Sequence, residues 1–92
     1  MMYQITKYTR DRARELGVTV KQSTNPAKKI DVFKNGVKIA SVGGIGYGDY
    51  PTFMRTKGKE YADERRRLYK QRHSKDRSIV GSNGYYADKL LW

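Results

Sequence analysis

Residues 28–44, KKIDVFKNGVKIASVGG, decide how this chain folds. Apolar Ile30 and Val32, then Val37 and Ile39, alternate with polar neighbours on either side of Asn35-Gly36. Alternation at period two is the pattern of a strand with one buried face. Asn-Gly tolerates positive φ at both central positions, as a type I′ turn requires, so the two runs predict a β-hairpin. Just upstream, Val18 to Gln22 (VTVKQ) alternates in the same way until Ser-Thr-Asn-Pro at 23–26 breaks it. The three runs predict a three-stranded antiparallel sheet. A sheet this small is stable only when something packs on its apolar face, and the flanking segments are the available partners.

The segment before the sheet, Thr6 to Leu16, reads as a short amphipathic helix. Thr6 suits the N-cap and Gly17 the left-handed position after the last turn. Ile5, Tyr8, Ala13 and Leu16 form its inner side, with Arg10, Arg12 and Arg14 largely outside. After the sheet, Gly43 to Asp49 (GGIGYGD) is a glycine-rich joint, and Pro51 suits the first turn of a helix that runs to about His73. Met54, Tyr61 and Leu68, together with Phe53, Ala62 and Tyr69, are the expected inner stripe. Gly58 weakens a helix interior by about 1 kcal/mol and divides this one into a short lead-in and a longer second part. The remainder, SIVGSNGYYADKLLW, turns at Gly81 to Gly84 and then carries Tyr85, Tyr86, Leu90, Leu91 and Trp92, which need a surface to cover them. The expected fold is α+β: one domain over residues 1–92, its three-stranded sheet and N-terminal helix packed against a long basic helix and an aromatic C-terminal segment.

Composition bounds the function. The chain has 92 residues and no cysteine, so neither disulfides nor thiolate-bound zinc supplement the core. Eight Tyr, two Phe and one Trp supply large buried areas with polar handles. The formal charge of +11 implies self-repulsion that a polyanionic partner relieves. Much of the surplus lies in residues 55–77, RTKGKEYADERRRLYKQRHSKDR, where only Glu60, Asp63, Glu64 and Asp76 oppose the cations. No apolar run reaches the roughly 20 residues that span a bilayer, so no membrane association is expected. Residues 1–10, MMYQITKYTR, lack the apolar core of a secretory signal, and the chain is expected not to be secreted.

No residue set points to catalysis. The glycines at 44, 46 and 48 are spaced G-x-G-x-G, not G-x-G-x-x-G, and no Lys-Ser/Thr follows as a phosphate-binding loop requires. They read instead as a turn that lets the backbone pass close to another element, or as a small anion nest. His73 is the only histidine, with Asp76 three residues on and no second acid–base partner beside it. One His with scattered carboxylates is a poor metal set. The chain is expected not to be an enzyme and to use no metal or other cofactor; His73 reads as a structural or phosphate-contacting residue.

The hairpin KKIDVFKNGVKIASVG, the joint GIGYGDYPTF, the helix KGKEYADERRRLYKQRH and the ending KDRSIVGSNGYYADKLLW together resemble a family. It is that of small basic proteins of unknown function encoded by giant double-stranded DNA viruses and their environmental relatives. The resemblance runs from about Leu16 to Trp92, and its strings Tyr-Ala-Asp-Glu-Arg-Arg-Arg and Gly-Tyr-Tyr-Ala-Asp are unusual. It implies a virus-encoded protein found in the virion interior or in the infected host cell, nucleus or cytoplasm. It brings no established activity, so it assigns no residue a role. Separately, Ala13 to Val18 (ARELGV) resembles the opening helix of SAP-like DNA-binding modules, but the hairpin that follows departs from that all-helical fold.

Two functional classes follow. The first is sequence-independent nucleic-acid binding, DNA favoured over RNA, through Lys59, Arg65, Arg66, Arg67, Lys70, Arg72, Lys75 and Arg77, with Arg55 and Lys57 beside them and Arg10, Arg12 and Arg14 as a second patch. Arg66 and Lys70, four apart on one side, are expected to act with Lys59 and Arg77, and Tyr47 or Tyr50, if exposed, to stack on unpaired bases. Arg65 and Arg72 share the Tyr61 and Leu68 stripe, where arginine stems cover apolar surface. The second class is a structural or interaction protein, a minor capsid-associated piece or a host-directed adaptor. It would bind an acidic protein surface or form a homo-oligomer through the aromatic C-terminal segment.

Overall fold

A computed structural model describes residues 3–92 of the chain. In order it has helix α1 (Lys7–Leu16), strands β1 (Thr19–Gln22), β2 (Lys28–Lys34) and β3 (Val37–Gly44), and helices α2 (Tyr50–Lys57) and α3 (Lys59–Arg72). A single 3-10 turn at Asp76–Ser78 then leads to α4 (Asn83–Leu91). The strands form one antiparallel sheet in the order β1-β2-β3, and the fold is α+β.

Local chemistry sets most boundaries. The Thr6 hydroxyl accepts from the Thr9 N–H at 3.2 Å, and Gly17 ends α1 at φ 73°. Asn35 and Gly36 lie at φ 53° and 78°, the paired left-handed positions of the expected hairpin turn. Asp49 caps α2 by accepting from the Thr52 N–H at 3.0 Å, with Pro51 in the first turn. Gly58, at φ 94° and ψ 169°, breaks the basic stretch into α2 and α3 where its helix-breaking character placed the division. The Ser82 hydroxyl accepts from the Tyr85 N–H at 3.1 Å and starts α4.

Val20, Ile30, Val32, Ala40 and Val42 share the core face of the sheet. The outer part of β3 does not follow the expected alternation. Val37 is 62% exposed and Ile39 37%. At Ile39 the reason is a bulge: Val32 pairs with Ala40 but Phe33 with Lys38, so Ile39 is an extra residue. One inserted residue reverses the facing of everything beyond it. Ala40 and Val42 therefore point inward and Ile39 does not, while Val37, still opposite Lys34 beside the turn, is exposed at the tip of the hairpin.

Helix α1 lies against β1 and α4 against β3, and the two helices touch each other over the sheet. Ala13 is the buried anchor of α1, with Ile5, Tyr8 and Leu16 packed around it as expected. Thr9 is fully buried as well, its hydroxyl donating to the Leu90 carbonyl at 2.8 Å. Helix α4 contributes Tyr86, Leu90, Leu91 and, just beyond its end, Trp92. Helices α2 and α3 join through Tyr50, Ala62 and Tyr69, the last stacked on Trp92 at 4.5 Å between ring centres. Met54 and Tyr61, expected on the inner stripe, are exposed. The break at Gly58 gives α3 its own rotation, and its buried face is Ala62 and Tyr69, two turns apart.

Candidate nucleic-acid interface

Three buried carboxylates organise the cations of this protein. Asp88 on α4 is 1% exposed; its Oδ1 accepts from Lys70 Nζ at 2.8 Å and from Arg77 Nε at 3.1 Å. Burial raises the affinity of this carboxyl for a proton, but Lys70 and Arg77 overcome that and hold its pKa below the usual range. Asp49 is likewise buried. It caps α2 while accepting from Lys29 Nζ at 3.0 Å and from the Tyr3 hydroxyl at 2.7 Å. Against burial, Thr52, Lys29 and Tyr3 keep its pKa low, while burial and the Asp49 carboxylate push the Tyr3 phenol well up. Asp31 on β2 accepts from the Ser23 and Ser41 hydroxyls, each at 2.6 Å, with Lys38 at 3.7 Å, and its pKa is lowered despite burial.

This network sorts the arginines and lysines expected to meet nucleic acid. Lys70 and Arg77 are tied to Asp88. Arg66 lies over the Tyr50 ring at 3.8 Å, with Asp63 at 3.6 Å and the Trp92 main-chain oxygen at 3.5 Å. Lys59 pairs with Asp63 at 2.5 Å, and Arg67 holds Glu64 through two hydrogen bonds of 3.1 and 2.6 Å. Arg66 and Lys70, expected to lead the contact with Lys59 and Arg77, each already have a partner within the fold. Sequence spacing places Arg66 and Lys70 on one helical side, but their partners Asp88, Tyr50 and Trp92 lie far away in the chain.

On α1, Arg14 stands near Asp11 at 3.8 Å and Arg10 is exposed. Arg12 is not outside: it lies over the Tyr8 ring and donates to the Lys89 carbonyl. Arg55, Lys57, Arg65, Arg72 and Lys75 have no carboxylate partner among the described residues.

Arg65 and Arg72, two helical turns apart on α3, line a cleft of about 530 Å³. Its other walls come from the Gly43–Gly48 joint, Phe53, and the Tyr69 and Trp92 rings. Trp92, Tyr69 and His73 form a column, Trp92 to Tyr69 at 4.5 Å and Tyr69 to His73 at 4.4 Å. His73 is its more exposed end, with Nδ1 3.5 Å from Asp76 Oδ2. Arg65 lies 5.9 Å from the Phe53 ring centre. A second cleft of about 500 Å³ shares Lys29, Tyr47 and Gly48 with the first, and Arg55 is among its lining residues. No carboxylate lines either cleft among the described residues.

The glycines of the joint serve this architecture. A Cβ on Gly44 would come within 2.7 Å of Tyr47 Cδ2, and one on Gly48 would overlap the Phe53 ring. Both aromatic rings are thus seated directly on backbone, as the close-approach reading of the joint expects. Tyr47 remains 79% exposed, whereas Tyr50 is buried. Of the two tyrosines considered for base stacking, only Tyr47 is available.

The sequence alone does not single out Lys29 or Phe53 as wall residues. A strand lysine reads as a solvated charge until Asp49 is seen beneath it. The aromatic C-terminal segment is also placed: Tyr86, Leu90, Leu91 and Trp92 are inside the protomer, not held out for a second copy. No helix among the described residues is long and apolar enough to cross a membrane. Among the same residues no group of three or more His, Cys, Asp or Glu side chains is placed to hold a metal ion. No family model, curated protein or solved structure matches the chain.

Proposed function

We propose that this protein binds nucleic acid without reading its sequence, holding phosphates in the two adjoining clefts. The carrying observation is that both clefts present arginines without carboxylate partners, Arg65 and Arg72 in one and Arg55 in the other, and neither is lined by an acidic residue. Cations lining a concave, partly apolar wall focus the field and attract a polyanion. DNA is the proposed partner ahead of RNA, in keeping with the resemblance to proteins of giant DNA viruses. Under the same reading the protein is not an enzyme and acts on a viral genome in the particle or the infected cell. The rival reading, a structural or adaptor protein, drew on the aromatic C-terminal segment, the tyrosine count and the absence of a recognised nucleic-acid motif; the burial of Tyr86, Leu90, Leu91 and Trp92 weakens the first of these.

The test is a fluorescence-anisotropy titration against two unrelated DNA sequences and one RNA at several salt concentrations. The logarithm of the affinity should fall linearly with log salt, and affinity should differ little between the two DNA sequences. Replacing Arg65 and Arg72 together by Ala should lower the slope by about 1.8 on duplex, or about 1.4 on a single strand, from two lost phosphate contacts. Absence of wild-type binding at about 50 mM salt, where such contacts are strongest, would overturn the proposal.

A further inference from the structure

We infer that the cleft between the glycine joint and α3 takes an unpaired nucleotide, its base stacked on Tyr47 and its flanking phosphates held by Arg65 and Arg72. This rests on the nucleic-acid reading and makes it specific: single strands, not duplex, are the preferred ligand.

The placement of free charge argues for it. A duplex laid along α3 would meet cations that are already engaged. Arg67 is held by Glu64, Lys59 by Asp63 and Lys70 by Asp88. The unpaired guanidiniums Arg65 and Arg72 line a concavity, and at about 530 Å³ it falls within the range of roughly 300–1,000 Å³ typical of sites for small ligands. Such a space admits a nucleotide turned out of a stack; it does not admit a double helix.

The aromatic geometry argues the same way. The Tyr47 ring rests by one edge on the Gly44 backbone and stays 79% exposed, so it is positioned and still open. An aromatic face of this kind stacks only on a base that has lost a stacking neighbour. The rings behind it are not free: Tyr69 is sandwiched between Trp92 and His73. Tyr47 also lines the second cleft, where Arg55 stands without a carboxylate partner. A strand passing over Tyr47 would thus find a guanidinium in each direction, at Arg65 and Arg72 on one side and Arg55 on the other.

The experiment compares a labelled oligothymidylate of about 12 nucleotides, a length within the usual site sizes of single-strand binders, with a mixed-sequence duplex of equal length. Wild type, Tyr47→Ala and Tyr47→Phe are titrated by anisotropy. Because Trp92 is the only tryptophan and lines the cleft, its emission gives a second, label-free signal. The wild type should bind the single strand more tightly than the duplex. Tyr47→Ala should weaken single-strand binding roughly 5- to 150-fold, the range for loss of one stacked base, with duplex binding little changed. Tyr47→Phe, which keeps the ring, should bind as wild type does. Equal or tighter duplex binding, or an unchanged single-strand affinity in Tyr47→Ala, would overturn the inference and leave general nucleic-acid binding standing. Binding to neither ligand would overturn both.

Discussion

Asp88 is the buried carboxylate that two cations share. It is 1% exposed on α4, and one of its oxygens takes a hydrogen bond from Lys70 of α3 and another from Arg77, in the turn that precedes α4. Hydrogen bonds to charged groups contribute about 1.5–3 kcal/mol each, and breaking a wholly buried ion pair costs about 3–5 kcal/mol. Here the two cations keep roughly a third of their side-chain surface in water and can turn outward once the carboxylate is gone. Asp88→Ala should therefore lower stability by about 2–3 kcal/mol, below the wholly buried case. Lys70→Ala or Arg77→Ala should each cost much less, about 0.5–1.5 kcal/mol, because the other cation still holds Asp88. Urea unfolding at fixed pH measures all three. Equal costs for the three variants, or a midpoint unmoved by Asp88→Ala, would refute the shared-carboxylate argument.

The sign of the pH dependence follows from the same group. The folded pKa of Asp88 is depressed, so its contribution is complete above the unfolded value of about 3.9 and is lost as pH falls through the lower folded value. Asp49 and Asp31 are depressed as well and add to the same acid limb. Wild-type stability should fall below about pH 4, and the gap between wild type and Asp88→Ala should narrow over that interval. A gap that widened on acidification would contradict the assigned direction.

Gly36→Val places a β-branched side chain at φ 78°, where no atom lies close enough to clash, so its cost is purely conformational, about 1–2 kcal/mol, and shows as a lower urea midpoint. An unchanged midpoint would argue against the type I′ turn. Deleting Tyr85 to Trp92 removes Tyr86, Leu90, Leu91 and Trp92 from the interior. At about 1.5–3 kcal/mol for each fully buried side chain, the loss rivals the 5–15 kcal/mol total stability of a small domain, and circular dichroism should report an unfolded chain. A folded, equally stable truncation would mean that the segment does not complete the core.

What was legible in the sequence is what local chemistry decides. Asn35-Gly36 declares its turn because few other pairs accept two positive φ values, and Thr6, Gly17, Pro51 and Gly58 mark helix ends by their own conformational limits. The bulge at Ile39 carries no such mark. An extra residue in a strand looks like any other residue until the partner strand is in place, and it brought Ala40 and Val42 to the core face in place of Ile39. The arginines were legible as a cluster but not individually. Whether Arg66 or Arg65 is free depends on Tyr50 and Trp92, which no spacing rule within α3 reveals. The cleft was invisible for the same reason, since its walls come from β2, the glycine joint, α2, α3 and α4.

The carboxylates of this chain are placed so that the surplus charge is not uniform. The buried ones, Asp31, Asp49 and Asp88, hold Lys38, Lys29, Lys70 and Arg77 and thereby fix strands and helices to one another. Asp11, Asp63 and Glu64 offset cations on the exposed sides of α1 and α3 through contacts three or four residues apart. Isolated pairs of that exposed kind add only about 0–1 kcal/mol to stability. Their larger effect is on the surface potential, since they quiet the convex face of α3. Arg55, Arg65 and Arg72 receive no such compensation, and they line the two concavities that meet at Tyr47. On the proposed reading, a polyanion approaching at random is drawn to the clefts more than to the helix face, even though the helix carries more cations. The count of basic residues along α3 gives the attraction its strength; the position of the carboxylates gives it a direction.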